Sequence, residues 1–558
     1  MGLTGEEKQV KDFFSGLSLK ELLSESKCHR MVQFANAVMQ RDYGNRGEVL
    51  PLLKDMKNGC YKLISTLENE KEVVRLSTLY WEILKCEGQN RQFDSYLLYL
   101  EKNRIPKEKF YQPKRKQFLK IGVIQALQDL IDDKLDILSI SMPPGTGKTT
   151  LEKFFHSAVI GWFPEEFNLF YSHSADITRM YYDGVLSILQ DAEYTWKDMF
   201  PKLEVTSTNA KMGNINVGKY KPFQNLMTAS VGSEMAGKVR ASYLLLVDDM
   251  IGKIEEALNK NTLDKLWSAY TADARQRKID GCKEIHIATR WSVHDVIGRL
   301  KIVYAGSDRV RFISVPDIDP QTGKSNFEYD YNGFSTDFFH DQEKLMDSVT
   351  YRCLYKNEPI EREGLLYLEE DIRHYETLPN REPDAILGVC DTKSKGTDFM
   401  VLPVLYQYDD DYYMVDCICD NSSDFGTQYS RLANIILKHN MQQVEFESNA
   451  GGDRIAFEVS KRVSDAGGRC NITTKPTETN KETRIFVNSD WVKKHVLFKD
   501  SAHYLPKSDY DVFMTNLLSY SVAGKNIHDD VPDCMANFAL FVNRRFRIRQ
   551  TVIMPSPF

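Results

Sequence analysis

Two glycines, a lysine and a threonine stand in fixed order in the stretch MPPGTGKTT, as Gly145, Gly147, Lys148 and Thr149, between an apolar run and a helix-like segment. Glycines in such a turn let backbone N–H groups approach a phosphate chain, a lysine reaches the β and γ phosphates, and a hydroxyl ligates Mg2+. The chemistry is that of an ATP site, with Pro144, Thr146 and Thr150 completing the loop. The strict pattern has glycine five residues before Gly147, where this chain has Met142. About a hundred residues on, YLLLVDDM ends an apolar strand in two acids. Asp248 is thereby placed to hold Mg2+ and Asp249 to orient the attacking water, and Glu255 or Glu256 can share that task because the aspartate is short. A third apolar run, EIHIATRW, brings Thr289 to a neighbouring strand end, where a polar side chain can sense the γ phosphate.

A second set of acids lies farther along. Asp391 ends the strand-like AILGVCD, and QQVEFESNAGG puts Glu445 and Glu447 on one strand face with Val444 and Phe446 on the other. Asp529, Asp530 and Asp533 open a late helix, with Asp533 near Asp529 or Asp530 on its surface. Carboxylates from two strands and one helix can converge on a pair of Mg2+ ions roughly 4 Å apart, the arrangement that cuts phosphodiesters by in-line attack of water. Any one of these acids alone is a surface charge or a helix cap, and that reading is kept for Asp398, Asp416 and Asp420. The order strand Asp, hairpin, helix, strand Glu, late helix Asp is that of an RNase H-like nuclease fold.

The elements that must position these residues follow from patterning. A chain of 558 residues exceeds one ordinary core, so two or three domains are expected. Residues 1–105 show helical spacing throughout and read as a helical region. Residues 106–325 alternate short β-rich runs with helices, the rhythm of an α/β parallel sheet. A linker or lid region spans 326–380, and 381–558 reads as a mixed sheet in which Asp409 to Asp411 turn one strand back on the next. A hydrophobic fraction of 42% and a charged fraction of 27% are those of a soluble globular protein, and a net charge of −7 argues against coating nucleic acid with the whole surface. Two basic places remain: residues 102–120, and a tail carrying Arg544, Arg545, Arg547 and Arg549. Either run alone is most simply a solvated face. No apolar run is long enough to span a bilayer, the N-terminus has no secretory pattern, and the ten scattered cysteines read as reduced and buried, all of which leads one to expect a cytoplasmic protein.

The stretches MPPGTGKTTL, LLLVDDM, ATRWSVHDVIGRL, YKNEPIEREGLLY, DTKSKGTDF, ESNAGG and HDDVPD, in this order and spacing, resemble the large subunit of tailed-phage terminases, a DNA-packaging motor with a nuclease domain. The resemblance covers about residues 90–540. It implies ATP and Mg2+ at Lys148, Thr149 and Asp248, hydrolysis by Asp249 with coupling through Thr289, and nuclease metals, Mg2+ or Mn2+, on Asp391, Glu447 and Asp530 or Asp529. It further implies double-stranded DNA, a procapsid portal protein and a terminase small subunit as partners, and a homo-oligomeric ring on the portal in the host cytoplasm. Many relatives carry arginine in the phosphate loop where this chain has Gly145, so the charge-neutralising arginine is expected elsewhere, Arg240 being the first choice. Lys481 and Arg484, in NKETRI, resemble a segment beside the nuclease groove and are expected to hold DNA phosphate. Two other readings stay open: a repair or recombination ATPase fused to a junction nuclease, and a nucleotide-switched assembly protein that does not cut.

Overall fold

The computed structural model describes residues 2–235, 237–346, 348–359, 365–392, 399–421, 425–477, 480–522, 526 and 528–551, with the side chains of 348, 425, 450 and 546–551 excepted. Asp398, the side chains of Arg547 and Arg549, and parts of the YKNEPIEREGLLY and DTKSKGTDF stretches lie outside the described residues. The chain forms two compact units. One comprises Met1–Gly252, Asn261–Gln342 and Cys353–Pro359, the other Lys253–Lys260, Glu343–Arg352 and Ile360–Phe558. The segment 326–380, expected as a linker, is thus divided between the two.

The first unit holds strands β1 (Ile137–Ser141), β2 (Asn168–Ser172), β3 (Val205–Asn209), β4 (Asn214–Val217), β5 (Met227–Ser230), β6 (Leu244–Asp248), β7 (Lys283–Ile287) and β8 (Val310–Ser314). Six of them form an all-parallel sheet in the order β5-β2-β6-β7-β1-β8, while β3 and β4 pair as a separate antiparallel hairpin. Strands β1, β2, β6 and β7 are buried at every residue, which β6 shows as an apolar run rather than as alternation, whereas β7 buries Lys283, Glu284 and His286 in ion pairs. Helix α1 (Lys148–Trp162) follows β1, and α2 (Ala175–Gln190) follows β2.

The helical N-terminal region belongs to this same unit. Capping boxes at Thr4/Glu7 and Ser18/Glu21 start its first two helices, satisfying backbone N–H groups that the first turn leaves unpaired. Its later helices dock on α1: the Trp162 indole donates to the Gly88 carbonyl at 2.7 Å, and the Tyr96 and Ser157 hydroxyls lie 2.8 Å apart. Among the described residues no helix is long and apolar enough to cross a membrane.

The second unit holds β9 (Arg373–Tyr375), β10 (Ala385–Cys390), β11 (Met400–Tyr408), β12 (Asp411–Asp420), β13 (Gln443–Glu447), β14 (Asn471–Lys475) and β15 (Val496–Lys499), with helices α3 (Phe425–Lys438), α4 (Gly452–Asp465), α5 (Lys481–His495) and α6 (Asp530–Thr551). The sheet is mixed, in the order β14-β13-β10-β11-β12-β15-β9, with β11 antiparallel to both β10 and β12 and the other pairings parallel. Both faces are covered. Met400, Leu402 and Val404 of β11 pack with α3 and α4, whereas Val401 packs with α5 and α6. Leu405 keeps that alternation on the α6 side, while a bulge opposite Val404/Leu405 leaves Val415 of β12 unpaired and changes the residues that β12 turns to this side from Cys417 and Cys419 to Met414 and Tyr412. The β11–β12 turn falls at Asp409, whose φ of 56° is the left-handed value such a tight connection needs.

Candidate active sites

In the phosphate loop, Gly145 and Gly147 adopt φ of 77° and 106°, conformations that side chains with a Cβ rarely take. The Thr146 hydroxyl donates to the Pro143 carbonyl at 2.8 Å, and the Thr146 carbonyl accepts from the Tyr329 hydroxyl at 2.9 Å, so the loop is tied from both ends. Tyr329 comes from the segment expected as a linker. The Lys148 ammonium donates to the carbonyls of Met142 and Pro143. Beside it opens a cleft of about 480 Å3, bounded by Pro144, Gly145, Gly147, Lys148, Thr149 and Thr150 on one side and by His173, Asp249, Thr289 and Trp291 on the other.

Sheet register brings these groups together. Strand β7 lies between β1 and β6, with Ile140 beside Ile287 and Ile287 beside Asp248, so the loop after β1, Thr289 after β7 and the acids ending β6 emerge at one sheet edge. Asp248 lies beneath the cleft, buried, and its Oδ1 has no hydrogen-bond partner. Asp249 takes a φ of 33° and accepts the Thr289 backbone N–H on Oδ1 at 3.1 Å, while His173 Nδ1 meets its carbonyl. The threonine expected as a sensor thus contacts the acid expected to orient water through its main chain.

Burial raises the carboxyls of both Asp248 and Asp249 above the usual carboxylate range, and for Asp248 the neighbouring Asp249 adds to the effect. Burial also lowers the Lys148 ammonium. A third acid belongs to this group. Glu152 is fully enclosed, neither of its carboxylate oxygens has a hydrogen-bond partner, and burial together with Asp248 and Asp249 pushes its carboxyl well up. Sequence reading passed over it, although its place four residues after Lys148 on α1 puts it on the same helix face. A buried carboxylate oxygen without a partner, an enclosed lysine and a glycine-lined loop fit a nucleotide with a divalent cation. Arg240, the expected arginine, is exposed and does not line the cleft. Arg290 is committed internally, its Nε donating to Asp295 at 3.0 Å, where Asp295 also caps the helix Val296–Val303.

In the second unit, oxygens of Asp391, Glu447 and Asp533 lie within 4.8 Å of one another. Asp391 follows β10, Glu447 ends the adjacent parallel β13, and Asp533 faces them from the first turn of α6. Gly452 permits the chain to turn back at Glu447, since a Cβ there would sit 1.7 Å from the Glu447 carbonyl oxygen. Burial, then Asp533 and Glu447, raise the Asp391 carboxyl well above its ordinary range. Oxygen ligands of like charge converging at this spacing suit a hard divalent cation.

The choice within the late acidic cluster differs from the expectation centred on Asp530. Its Oδ2 accepts the Phe399 N–H at 2.9 Å and its Oδ1 lies 3.3 Å from Lys481 Nζ, whereas Asp533 joins the three-acid group. Asp529 is paired with Lys481 at 2.6 Å. Lys481 and Arg484, expected to hold DNA phosphate, are engaged with these acids: Arg484 forms a two-pronged pair with Asp533 at 2.7 Å for each bond, both side chains being buried. Burial pushes the Asp533 carboxyl up while Arg484 and Lys481 pull it down. Asp416 and Asp420 keep structural roles, with Lys438 and His439 on the first and Arg431 on the second.

The basic runs are also largely occupied. Arg115 pairs with Asp94, Lys120 with Asp319 and Arg104 with Glu193, and Lys114 is buried over the rings of Phe110 and Tyr329. Arg544 pairs with Glu445, and Arg545 lies over the Phe541 ring.

Residues 390–495 match the family described as Terminase Bacteriophage T7, Ribonuclease H-like domain. The matched residues run from the end of β10 to the end of α5, within the unit that holds the mixed sheet. No curated protein matches the chain. Among solved structures, the chain is similar to the HK97 bacteriophage large terminase, at 12% identity over 81% of this chain and 99% of that one, with a TM-score of 0.36. It is similar also to the large terminase of thermophilic bacteriophage D6E, at 12% identity over 77% and 99%, with a TM-score of 0.34. The large terminase nuclease of thermophilic phage G20c matches at 19% identity over 30% and 90%, with a TM-score of 0.21. Superpositions this loose carry no functional weight.

Proposed function

We propose that this chain is the large subunit of a phage terminase, an ATPase that drives double-stranded DNA into a procapsid and a divalent-metal endonuclease that cuts it. The observation that carries the reading is the meeting of Asp391, Glu447 and Asp533 within 4.8 Å, in a domain that matches the terminase ribonuclease H-like family, on a chain that also bears a phosphate-loop cleft.

ATP bound in the cleft would supply the phosphoanhydride, and a divalent cation held by Thr149 and Asp248 would supply charge neutralisation for the phosphates. In this reading Lys148 exchanges its carbonyl partners for the β and γ phosphates, Thr149 and Asp248 hold the ion, and Asp249 accepts the proton of the attacking water. The Thr289 N–H on Asp249 holds that carboxylate in place and links it to β7. In the nuclease site Mg2+ or Mn2+ is held by Asp391, Glu447 and Asp533, with Lys481 and Arg484 limiting the repulsion among the acids and Asp530 fixing the chain at Phe399. The portal, the small subunit and a ring of copies on the portal are the partners this reading requires, with the host cytoplasm as the setting. The domain roles follow: residues 106–325 as motor and 381–558 as nuclease.

The test uses purified full-length protein with procapsids, ATP and linear DNA, alongside plasmid nicking in Mn2+. DNA protected from nuclease digestion inside capsids, lost in Lys148→Ala, and nicking lost in Asp391→Ala support the proposal. ATP hydrolysis stimulated by branched DNA but not by portal, with no packaging, would turn the reading toward a repair enzyme. Wild-type nicking equal to that of Asp391→Ala would sink the nuclease half.

A further inference from the structure

The groove that holds the three acids continues past them. On α6, Asp533, Asn537 and Arg544 fall four and then seven residues apart, and so share one helix stripe. Facing that stripe, Glu445 and Glu447 share one side of β13, two residues apart. Between the two lies a cavity of about 230 Å3 lined by Glu445, Glu447, Lys475, Thr477, Asn537 and Arg544. Lys475 lies beside Glu447 in the register of β14 on β13, and Arg544 meets Glu445 two residues back along the strand. Asn449 ties the end of β13 to the segment after β14, donating to Glu447 Oε1 at 2.8 Å and to the Thr477 carbonyl at 3.2 Å.

The two cations differ in their commitments. Arg544 gives Nη2 to Glu445, and a guanidinium has five N–H donors in a planar fork, so its Nε and Nη1 stay open to a second anion. Lys475 ends β14, exposed, with no carboxylate partner among the described residues. The Glu445 carboxylate therefore orients Arg544 without exhausting it.

We propose that this cavity is the subsite for a DNA backbone phosphate next to the one that is cut, with Lys475 and Arg544 as its cations and Asn537 as a hydrogen-bond donor; the proposal rests on the nuclease reading. The spacing suits it. Two residues of parallel strand separate Glu447 from Glu445 by about 7 Å, on the order of the distance from one backbone phosphate to the next along a strand. The cavity volume is below the range of about 300 to 1,000 Å3 that encloses whole drug-sized ligands, a size that suits a single phosphate group. A phosphate here draws the strand along β13 and sets the scissile bond over Asp391, Glu447 and Asp533. Lys475 and Arg544 are thus positioning residues that act on DNA binding and register.

The test is steady-state cutting of a fluorescein-labelled linear DNA by the full-length protein in Mn2+, across a series of salt concentrations. Lys475→Gln and Arg544→Gln should each raise KM several-fold, leave kcat within about twofold, and lower the slope of log KM against log salt by about one. Arg544→Lys should recover part of the loss. Glu445→Gln, which frees the guanidinium, should move KM the other way. Because Lys475 is exposed, its variant folds and decides the matter even if Arg544→Gln melts early. Cutting by the wild type with KM and salt slope unchanged in Lys475→Gln overturns the subsite and leaves the nuclease standing. No cutting by the wild type overturns the nuclease reading and the subsite together.

Discussion

In the phosphate-loop cleft, Asp248 and Asp249 are neighbours in sequence and face a lysine whose hydrogen bonds go to backbone carbonyls. In the nuclease groove, Asp391, Glu447 and Asp533 come from three distant segments, and two of the protein's own cations already sit on the late acids. The first site keeps its charges near one another but unjoined, with Asp248 and Glu152 holding buried oxygens that have no partner. Such groups are costly unless a ligand or a proton satisfies them. The second site offsets part of its charge internally, through Lys481 and Arg484. On the proposed reading, the phosphate-loop cleft is completed by what binds to it, whereas the acids of the groove are held in place by the fold and need a metal chiefly for chemistry.

Lys148→Ala gives the largest expected change in this comparison. ATP turnover should fall by about a hundredfold to a thousandfold, as on losing a preorganised charge donor, while plasmid nicking continues. Parallel loss of both activities in a folded protein would erase the distinction between the sites. In the groove, Asp533→Asn should abolish cutting and Asp530→Asn should cost about tenfold, the scale for a residue that only supports a metal site. Equal effects of the two, in a gel nicking assay, would put Asp530 back among the metal ligands.

Stability sharpens the contrast. Arg484→Met leaves Asp533 buried and without its two-pronged partner, so urea unfolding should show a loss of about 3 to 5 kcal/mol; a loss under about 1 kcal/mol would mean that the groove's internal cations do not hold its acids. Two buried glutamates of the first unit extend the test. Glu284 accepts from Tyr270, Arg275 and His286 at 2.6, 3.1 and 3.1 Å and pairs with Lys278, and Glu284→Gln should cost about 2 to 3 kcal/mol. Glu152→Gln should stay within about 1 kcal/mol of the parent, since the carboxylate it removes has no partner to lose. A large loss at Glu152 would reveal a bond that the free cleft does not contain.

The smallest expected effect is acidic. Burial alone would raise the Glu284 carboxyl, but the hydrogen bond and charge of His286 and then Lys278 hold it below its ordinary range. A depressed carboxyl stabilises the fold fully above its unfolded pKa of about 4.3, and that contribution is lost as pH falls toward the lower folded value. Unfolding followed from pH 6 down to pH 3 should therefore show the parent losing stability below about pH 4 more steeply than Glu284→Gln. Identical slopes would show that this network is not what acid dissolves.

Much of the architecture was legible because its signals are local. The apolar run of β6, the Asp409 turn and the glycines of the phosphate loop each reflect a constraint that a few adjacent residues impose on themselves. Other features left weaker marks. The N-terminal helices were recognisable as helices, but their docking on α1 through Tyr96 and Trp162 depends on which faces meet. Tyr329 and strand β9, both from the stretch expected as a linker, were invisible as parts of the loop support and of the nuclease sheet, since a single aromatic and a strand of three residues carry no periodicity.

By itself the sequence determined that this chain has a phosphate loop on a parallel sheet and a late set of acids suited to metal, because glycine conformations, apolar runs and the two-residue period of a strand act at short range. Only the tertiary structure decided which late acid joins Asp391 and Glu447. Asp530 and Asp533 are both in the first turn of α6, three residues apart, and helical spacing treats them alike. The decision falls to the rotation of α6 on the sheet, set by the packing of Val531, Cys534, Met535 and Phe538 into the core beneath β10 and β11. That rotation turns Asp533 toward the strand ends and onto Arg484, and leaves Asp530 to hold the Phe399 backbone. It is a consequence of contacts between residues more than a hundred positions apart, which no local pattern encodes.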